Sequence, residues 1–195
     1  MIIRLDLNGV VREVNAAPGD SLLKALRRIG LFGVKHGCEG GECGACTVLF
    51  DGKPVNSCLI LAVQAEGHQI QTIEASGQNP MQGWKVTAGL HPLQQAFIET
   101  GAIQCGYCTP AQILAAQALL AENLLPTESQ VREALSGVLC RCTGYVKPVQ
   151  AVLRAAEYLP GEGLAPLKYD IWHPIASDHQ PEPDGFHGPH SPNME

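Results

Sequence analysis

The sequence has few basic residues and no long apolar run. Its 195 residues include 13 Lys and Arg against 19 Asp and Glu, and a formal net charge of −6 disfavours binding to nucleic-acid phosphates. No stretch approaches the roughly 20 apolar residues that span a bilayer. The opening residues, MIIRLDLNGV, lack the basic segment and long apolar run of a secretory signal. We therefore expect a soluble, cytoplasmic protein that neither spans a membrane nor binds nucleic acid.

Eight cysteines are the most informative residues of the chain. They form two groups of four, at positions 38, 43, 46 and 58 and at positions 105, 108, 140 and 142, with no cysteine from 59 to 104. In a reducing compartment this number of cysteines indicates metal ligands rather than disulfides. We therefore expect two four-cysteine sites, one in each of two domains.

Residues 1–76 have the pattern of a small mixed sheet. Apolar and polar residues alternate at the start of the chain, and Asn8-Gly9 and Asp51-Gly52 are typical hairpin turns. Asp20 or Ser21 can cap a helix that Gly30 ends. Further strands are expected at residues 10–14, 47–50 and 70–73. A hairpin, a crossing helix and more strands predict a β-grasp domain.

Residues 77–160 predict helices instead. Pro92, Pro110 and Pro148 each suit the first turn of a helix, and Thr127 with Gln130 forms a capping-box pattern ahead of another. Four short helices predict a four-helix bundle, so the fold class is α+β. Residues 161–195 contain six prolines, four histidines, six acidic residues and one lysine. They predict an acidic tail without a metal site, which is either extended, with Trp172 and Phe186 anchoring it against a partner subunit, or disordered.

The first cysteine group has the spacing C-x4-C-x2-C with a fourth cysteine further on, at Cys38, Cys43, Cys46 and Cys58. This is the plant-type ferredoxin spacing for a [2Fe–2S] cluster. Glycines in the loop, at positions 37, 40, 41 and 44, let it curl and aim main-chain N–H groups at the sulfurs. A structural zinc site is the alternative, but zinc prefers paired cysteines at both ends of its site.

The second cysteine group consists of two close pairs, Cys105 with Cys108 and Cys140 with Cys142. Each pair adjoins a predicted helix end, where a helix N-terminus would favour an anionic cluster. Spacing alone leaves zinc and iron–sulfur equally open. A redox cluster at the first group is useful only if a nearby group can receive its electron. This favours iron–sulfur over zinc for the second group. Tyr107 and Tyr145, which flank the pairs, are expected to pack and exclude water.

The segments CEGGECGACTVL, SCL, QCGYCTP and LCRCTGY occur in this order. Together they resemble the small iron–sulfur subunit of the molybdenum hydroxylases, a family that includes xanthine dehydrogenase, aldehyde oxidoreductase, carbon monoxide dehydrogenase and nicotinate dehydrogenase. The resemblance covers residues 1–160. It implies that the first group, Cys38, Cys43, Cys46 and Cys58, holds a solvent-side [2Fe–2S] cluster. It implies that the second group, Cys105, Cys108, Cys140 and Cys142, holds a deeper one.

The resemblance also implies partners. Gln104 matches the glutamine that hydrogen-bonds the pterin of the molybdenum cofactor, and Cys142 matches the cluster ligand nearest that pterin. A large subunit would hold the molybdopterin, and a medium subunit would hold FAD. No residues here form a catalytic constellation, so the expected function is electron transfer from molybdopterin through two clusters to FAD.

A xanthine dehydrogenase-like complex is the expected setting for this electron transfer. The alternatives within the family are aldehyde, nicotinate or other N-heterocycle, and carbon monoxide dehydrogenases. The alternatives of a different class are a stand-alone two-cluster ferredoxin and a zinc-stabilised interaction module.

Overall fold

The N-terminal part of the chain is a five-stranded mixed sheet with one helix packed on it. The computed structural model describes residues 1–76 and 90–158. The sheet order is β2-β1-β5-β3-β4, with β1 parallel to β5 and every other neighbouring pair antiparallel. The strands are β1 (Ile2–Leu7), β2 (Val10–Asn15), β3 (Thr47–Phe50), β4 (Lys53–Asn56) and β5 (Gln69–Gln71). This is the predicted β-grasp arrangement.

The last strand ends earlier than the sequence pattern predicts. We expected it to run to residue 73, but β5 stops at Gln71, and Ile73–Ala75 form a single 3₁₀ turn. The reason is a side chain: the Asn8 Oδ1 atom accepts a hydrogen bond from the Thr72 main-chain N–H at 2.8 Å. Because this side chain takes the place of a strand partner, the chain leaves the sheet at Thr72.

Helix α1 (Leu22–Arg28) crosses the sheet and fills its core. Ser21 is the N-cap, because its side chain accepts a hydrogen bond from the Lys24 N–H, whereas Asp20 accepts one from the Ala17 N–H and pairs with Arg28. The buried side chains of α1 meet those of β1, β2, β3 and β5. This first core includes Ile3, Leu5, Leu7, Val14, Leu22, Leu23, Leu26, Val48 and Ile70.

Within the described residues 90–158, four helices follow the sheet, as predicted. They are α2 (Pro92–Glu99), α3 (Thr109–Glu122), α4 (Glu128–Ser136) and α5 (Val146–Tyr158). The predicted capping box at Thr127 and Gln130 is present at the start of α4. The fourth helix was expected to open at Pro148 but begins two residues earlier, at Val146. Proline is still tolerated there because first-turn N–H groups have no helical partner.

Helix α3 is the centre of this bundle and also joins it to the sheet. Nine of its 14 residues are buried, so it is enclosed on nearly every side. Leu114 and Ala118 of α3 pack against Leu49 of β3 in a small cluster of their own. Because α3 contacts both the other helices and the sheet, the two cysteine groups are held in one packed framework.

In the described ranges, 1–76 and 90–158, no helix is long and apolar enough to cross a membrane. Other predictions fall on residues outside these ranges. They concern the connection at 77–89 and the tail at 161–195, including Trp172, Phe186 and the four tail histidines.

Candidate metal centres

Cys38 and Cys43 face each other across the glycine-rich loop before β3. The Cys38 N–H donates to the Cys43 Sγ atom at 3.4 Å, and the Cys43 N–H donates to the Cys38 Sγ atom at 3.4 Å. The Gly40 N–H is a second donor to Cys38, at 3.3 Å. These main-chain N–H groups, first Cys43 and then Gly40, lower the pKa of the Cys38 thiol to about 6. The loop therefore favours a thiolate, the form that binds metal.

This loop geometry requires glycine at Gly37 and Gly44. A Cβ atom at Gly37 would lie 2.6 Å from the Cys43 Sγ atom, well inside contact distance. Gly44 has φ +65°, and a Cβ there would collide with the carbonyl oxygen of Gly137, in the loop after α4. The glycines thus give the loop its curl, as expected, and Gly44 also allows it to approach the helical bundle.

Cys46 and Cys58 form the other half of the first group. Cys46 is buried at the start of β3, and the Cys58 thiol lies within hydrogen-bonding reach of it. Burial raises the pKa of Cys58 to about 11, and the neighbouring Cys46 thiol contributes to the increase. Ser57 connects the two segments, because its hydroxyl donates to the Cys46 carbonyl at 2.7 Å. Sequence analysis missed Ser57, since a serine beside a cysteine has no distinctive pattern.

The second group is likewise arranged as two pairs, Cys108 with Cys140 and Cys105 with Cys142. Burial raises the pKa of Cys108 to about 12, and the adjacent Cys140 thiol adds to this effect. The Cys105 thiol raises the pKa of Cys142. Cys108 is the N-cap residue of α3, so the second group lies at the positive end of that helix, as predicted.

Two side chains hold the loop that carries Cys140. Burial alone would raise the pKa of Cys140, but hydrogen bonds from Thr143 and from the Cys142 main chain outweigh it and lower the pKa. The Thr143 Oγ1 atom lies 3.1 Å from the Cys140 Sγ atom. The Tyr145 hydroxyl accepts from the Cys140 N–H at 2.8 Å and donates to the Val138 carbonyl at 3.3 Å. Tyr145 was expected only to pack, and it also fixes this loop by hydrogen bonds.

The two cysteine groups are directly connected. The Leu139 N–H donates to the Cys43 carbonyl at 2.9 Å, and Leu139 immediately precedes Cys140. The Tyr107 hydroxyl, between Cys105 and Cys108, donates to the carbonyl of His36. Each segment of the second group therefore bonds to the loop of the first group. Sequence analysis did not find these contacts, because they join residues that are far apart in the chain.

Each group has one well-buried and at least one exposed cysteine. Cys46 and Cys108 are buried, whereas Cys38, Cys105 and Cys142 are exposed. Within this chain the second group is therefore not the deeper one, because two of its cysteines, Cys105 and Cys142, are exposed, whereas only Cys38 of the first group is exposed. Gln104 is exposed beside Cys105, and its amide has no hydrogen-bond partner among the described residues. This surface is open to contact with another molecule.

The donor set fits [2Fe–2S] clusters. In the described part of the chain, no three His, Cys, Asp or Glu side chains converge closely enough to hold a single metal ion. The eight thiols lie in pairs instead, and two pairs correspond to the two irons of one cluster. Main-chain N–H groups already point at the sulfurs of Cys38 and Cys43, where they would offset the negative charge of a cluster.

Comparison with known protein families identifies the class of both domains. A model for a 2Fe-2S iron-sulfur cluster binding domain matches residues 5–72, and a model for a [2Fe-2S] binding domain matches residues 72–153. The chain is therefore a protein with two [2Fe–2S]-binding domains. The zinc alternative that spacing alone left open for the second group is excluded by this match.

Similar proteins and structures define the family more closely. The nicotinate dehydrogenase small FeS subunit of Eubacterium barkeri is 48% identical over 156 residues, covering 80% of this chain and 94% of that protein. The xanthine dehydrogenase iron-sulfur-binding subunit of Escherichia coli O157:H7 is 47% identical over 154 residues, which cover 77% of this chain and 91% of that protein. A chain of the crystal structure of quinoline 2-oxidoreductase from Pseudomonas putida 86 superposes with a TM-score of 0.73 at 46% identity. The match covers 80% of the present chain and 94% of the quinoline 2-oxidoreductase chain.

The chain belongs to the family of small iron–sulfur subunits of the molybdenum hydroxylases. It is thus an electron-transfer component of an oxidoreductase and works together with partner subunits. This agrees with the resemblance that the cysteine motifs indicated.

Proposed function

We propose that this chain carries electrons from the molybdopterin centre of a large partner subunit to the FAD of a medium partner subunit. The molybdenum centre, when bound in its own subunit, supplies the hydroxylation of the substrate, which releases two electrons. The present chain contributes no substrate chemistry. Its two [2Fe–2S] clusters pass the electrons one at a time.

The proposed ligands of these clusters are the two cysteine groups. Cys38 and Cys43 would hold one iron of the first cluster, and Cys46 and Cys58 the other. The thiol pairing and the N–H donors at Cys38 support this assignment. The same reasoning assigns the second cluster to Cys105, Cys108, Cys140 and Cys142.

One observation carries the proposed electron route. The hydrogen bond from the Leu139 N–H to the Cys43 carbonyl is 2.9 Å long and joins the main chain of one proposed ligand to the residue beside another, Cys140. A path from Cys43 to Cys140 thus runs through covalent bonds and a single hydrogen bond. A short connected path of this kind would favour electron transfer between the two clusters.

The open surface at Gln104 supports the direction of the route. The Gln104 amide is exposed and has both donor and acceptor groups to match a pterin edge. Cys142, which is also exposed, pairs with Cys105 next to Gln104. We propose that this surface contacts the molybdopterin, with Gln104 bonded to the pterin and Cys142 the nearest ligand. The exposed Cys38 end of the first cluster would then transfer electrons toward FAD.

The proposed division of the chain follows these two sites. The β-grasp domain would comprise residues 1–76, the helical domain residues 77–160 and the tail residues 161–195. The end of the sheet before residue 76 and the four helices from Pro92 onward support the first boundary.

We propose a xanthine dehydrogenase-like complex as the setting. The similar xanthine and nicotinate dehydrogenase subunits are almost equally identical to this chain, at 47% and 48%. Xanthine and nicotinate are both N-heterocycles, so an N-heterocycle substrate is the broader form of the proposal. The exposed second site, which a lone carrier would leave open to solvent, favours a subunit over a stand-alone ferredoxin.

Purification of the complex through a tag on this chain tests the proposal. We expect large and medium subunits to co-purify, with molybdenum and FAD. Anaerobic addition of xanthine, or of nicotinate if xanthine does not react, should bleach the visible absorption of both clusters. Recovery of the chain alone, with neither molybdenum nor FAD, would favour the stand-alone ferredoxin instead.

A further inference from the structure

Gln112 is a fully buried amide that the fold leaves unsatisfied. Its side chain has no solvent exposure, and neither Nε2 nor Oε1 has a hydrogen-bond partner among the described residues. Burial of an amide without partners costs free energy, so native proteins rarely tolerate it. Among the described residues, Gln112 is the side chain with both polar atoms buried and unpartnered: Glu74 has one such oxygen, but its other oxygen accepts from the Gly33 N–H. By contrast, Ser57 donates to the Cys46 carbonyl, and Ser76 donates to the Gln117 Oε1 atom.

The position of Gln112 on α3 directs it toward the second cysteine group. The Gln112 N–H donates to the Cys108 carbonyl at 3.0 Å, and Cys108 itself has helical dihedral angles, φ −81° and ψ −16°. Residues four apart lie on the same helix face, so Gln112 lies on the face that carries Cys108. Helical side chains lean toward the helix N-terminus, which here means back toward Cys108 and its neighbour Cys140.

The glutamine side chain is long enough to reach back along the helix from Gln112 to the level of Cys108. One helical turn rises about 5.4 Å, and an extended glutamine side chain spans about that distance. The flanking residues Ala111 and Ile113 are buried in the core of the bundle, which keeps solvent away from this part of α3. The missing partner of Gln112 is therefore expected at the cluster end of the helix.

We propose that the Gln112 side-chain Nε2–H donates a hydrogen bond to a sulfur of the second [2Fe–2S] cluster and raises its reduction potential. This inference rests on the proposed assignment of that cluster to Cys105, Cys108, Cys140 and Cys142. Reduction adds one negative charge to the cluster, so a donor stabilises the reduced form more than the oxidised form. A higher potential at the second cluster makes it a better acceptor for electrons that enter near Cys142.

The test replaces Gln112 with methionine, which has similar volume but no donor. In the full chain with both clusters, redox titration followed by EPR should show a lower midpoint potential and shifted g values for the second cluster only. A Cys140→Ser variant identifies that cluster by the signal it loses. Gln117→Met is the matched control: Gln117 is on the same helix but bonds to Ser76, so neither cluster should change.

A second measurement, made with Gln112 unchanged, keeps the proposal testable if the Gln112→Met chain does not assemble the second cluster. In chain labelled with ¹⁵N at glutamine side-chain amides, pulsed EPR of the reduced second cluster should detect a ¹⁵N coupling. A Gln104→Ala background removes the amide beside Cys105 as a source. Absence of this coupling, or an unchanged potential in a fully loaded Gln112→Met chain, would overturn the role of Gln112. If Cys140→Ser removes no cluster signal, the proposed ligand set itself is wrong.

Discussion

The main-chain N–H of Leu139 donates a hydrogen bond to the carbonyl oxygen of Cys43 at 2.9 Å, and this bond links the two cysteine groups. Leu139 belongs to the loop that leads into Cys140, and Cys43 belongs to the glycine-rich loop of the sheet domain. The side chain of Leu139 is exposed, so its contribution here is made by the main chain. The same contact therefore joins the domains and offers a route for electrons.

Replacing Leu139 with proline removes this N–H and should slow electron transfer between the clusters. Leu139→Ala is the matched control, because it keeps the N–H and alters only the exposed side chain. Freeze-quench EPR after rapid mixing with a reductant that enters at the second cluster would give both rates. Iron content must equal that of wild type in both variants. A Leu139→Pro chain that transfers electrons at the wild-type rate would exclude the route through Cys43.

Replacing Gly44 with alanine should destabilise the contact between the domains. Gly52 is the control, because it also has a positive φ, +80°, but no atom lies within 4 Å of the new Cβ. We expect Gly52→Ala to cost about 1 kcal/mol for the backbone alone. Gly44→Ala should cost a further ~1–3 kcal/mol, since its Cβ collides with the Gly137 carbonyl. Equal unfolding curves for the two variants would show that the collision is relieved without cost.

Ser57→Ala should make the first cluster more labile. The buried Ser57 hydroxyl donates to the Cys46 carbonyl at 2.7 Å, and the Ser57 N–H donates to the same carbonyl at 3.4 Å. Loss of the shorter bond should cost about 0.5–1.5 kcal/mol, because the longer one remains. Because Ser57 adjoins Cys58, the fourth proposed ligand should become less firmly held. The rate of absorbance loss with a chelator measures this. Ser136→Ala, at an exposed serine, should behave like wild type.

Tyr145→Phe should weaken the second cluster instead. It removes the hydroxyl that accepts from the Cys140 N–H and donates to the Val138 carbonyl, at a cost of about 1–3 kcal/mol. Tyr158→Phe is the control, since that hydroxyl bonds to Glu99 away from the cysteines. EPR during chelation should show the second cluster lost first in Tyr145→Phe. Loss of both clusters at wild-type rates would mean that the Tyr145 hydroxyl does not support the loop.

Local patterns were enough to predict most elements and both cysteine groups. The Asn8-Gly9 and Asp51-Gly52 turns and the Thr127 capping box depend on neighbouring residues, so the sequence alone reveals them. The early end of β5 could not be predicted, because it depends on the side chain of Asn8, which is remote in sequence.

The supporting contacts of the two sites escaped prediction for the same reason. Tyr145 and Leu139 act through bonds whose partners are set by how a loop folds back or how the bundle docks on the sheet. Gln112 looks like any helical glutamine in the sequence. Its importance emerges only when burial and missing partners are known.

Gln104→Ala should leave both clusters intact and slow electron entry from the molybdenum centre. Gln104 is exposed beside Cys105 in the isolated chain, and its amide can both donate and accept along a pterin edge. Loss of one such bond in a contact buried by the partner subunit costs about 1–3 kcal/mol, because the pterin group is left unsatisfied. This is enough to loosen the position of the cofactor without unfolding the domain.

Rapid-reaction kinetics of the whole complex give the decisive comparison for Gln104. Substrate-driven reduction of the second cluster should be slower in Gln104→Ala, while EPR signals and iron content match wild type. Gln150→Ala, at an exposed position on α5, serves as the matched control and should not alter the rate. If both variants reduce the second cluster as fast as wild type, Gln104 does not contact the pterin. The open surface formed by Gln104 and Cys142 would then need a different partner, because its exposed cysteines would still require cover.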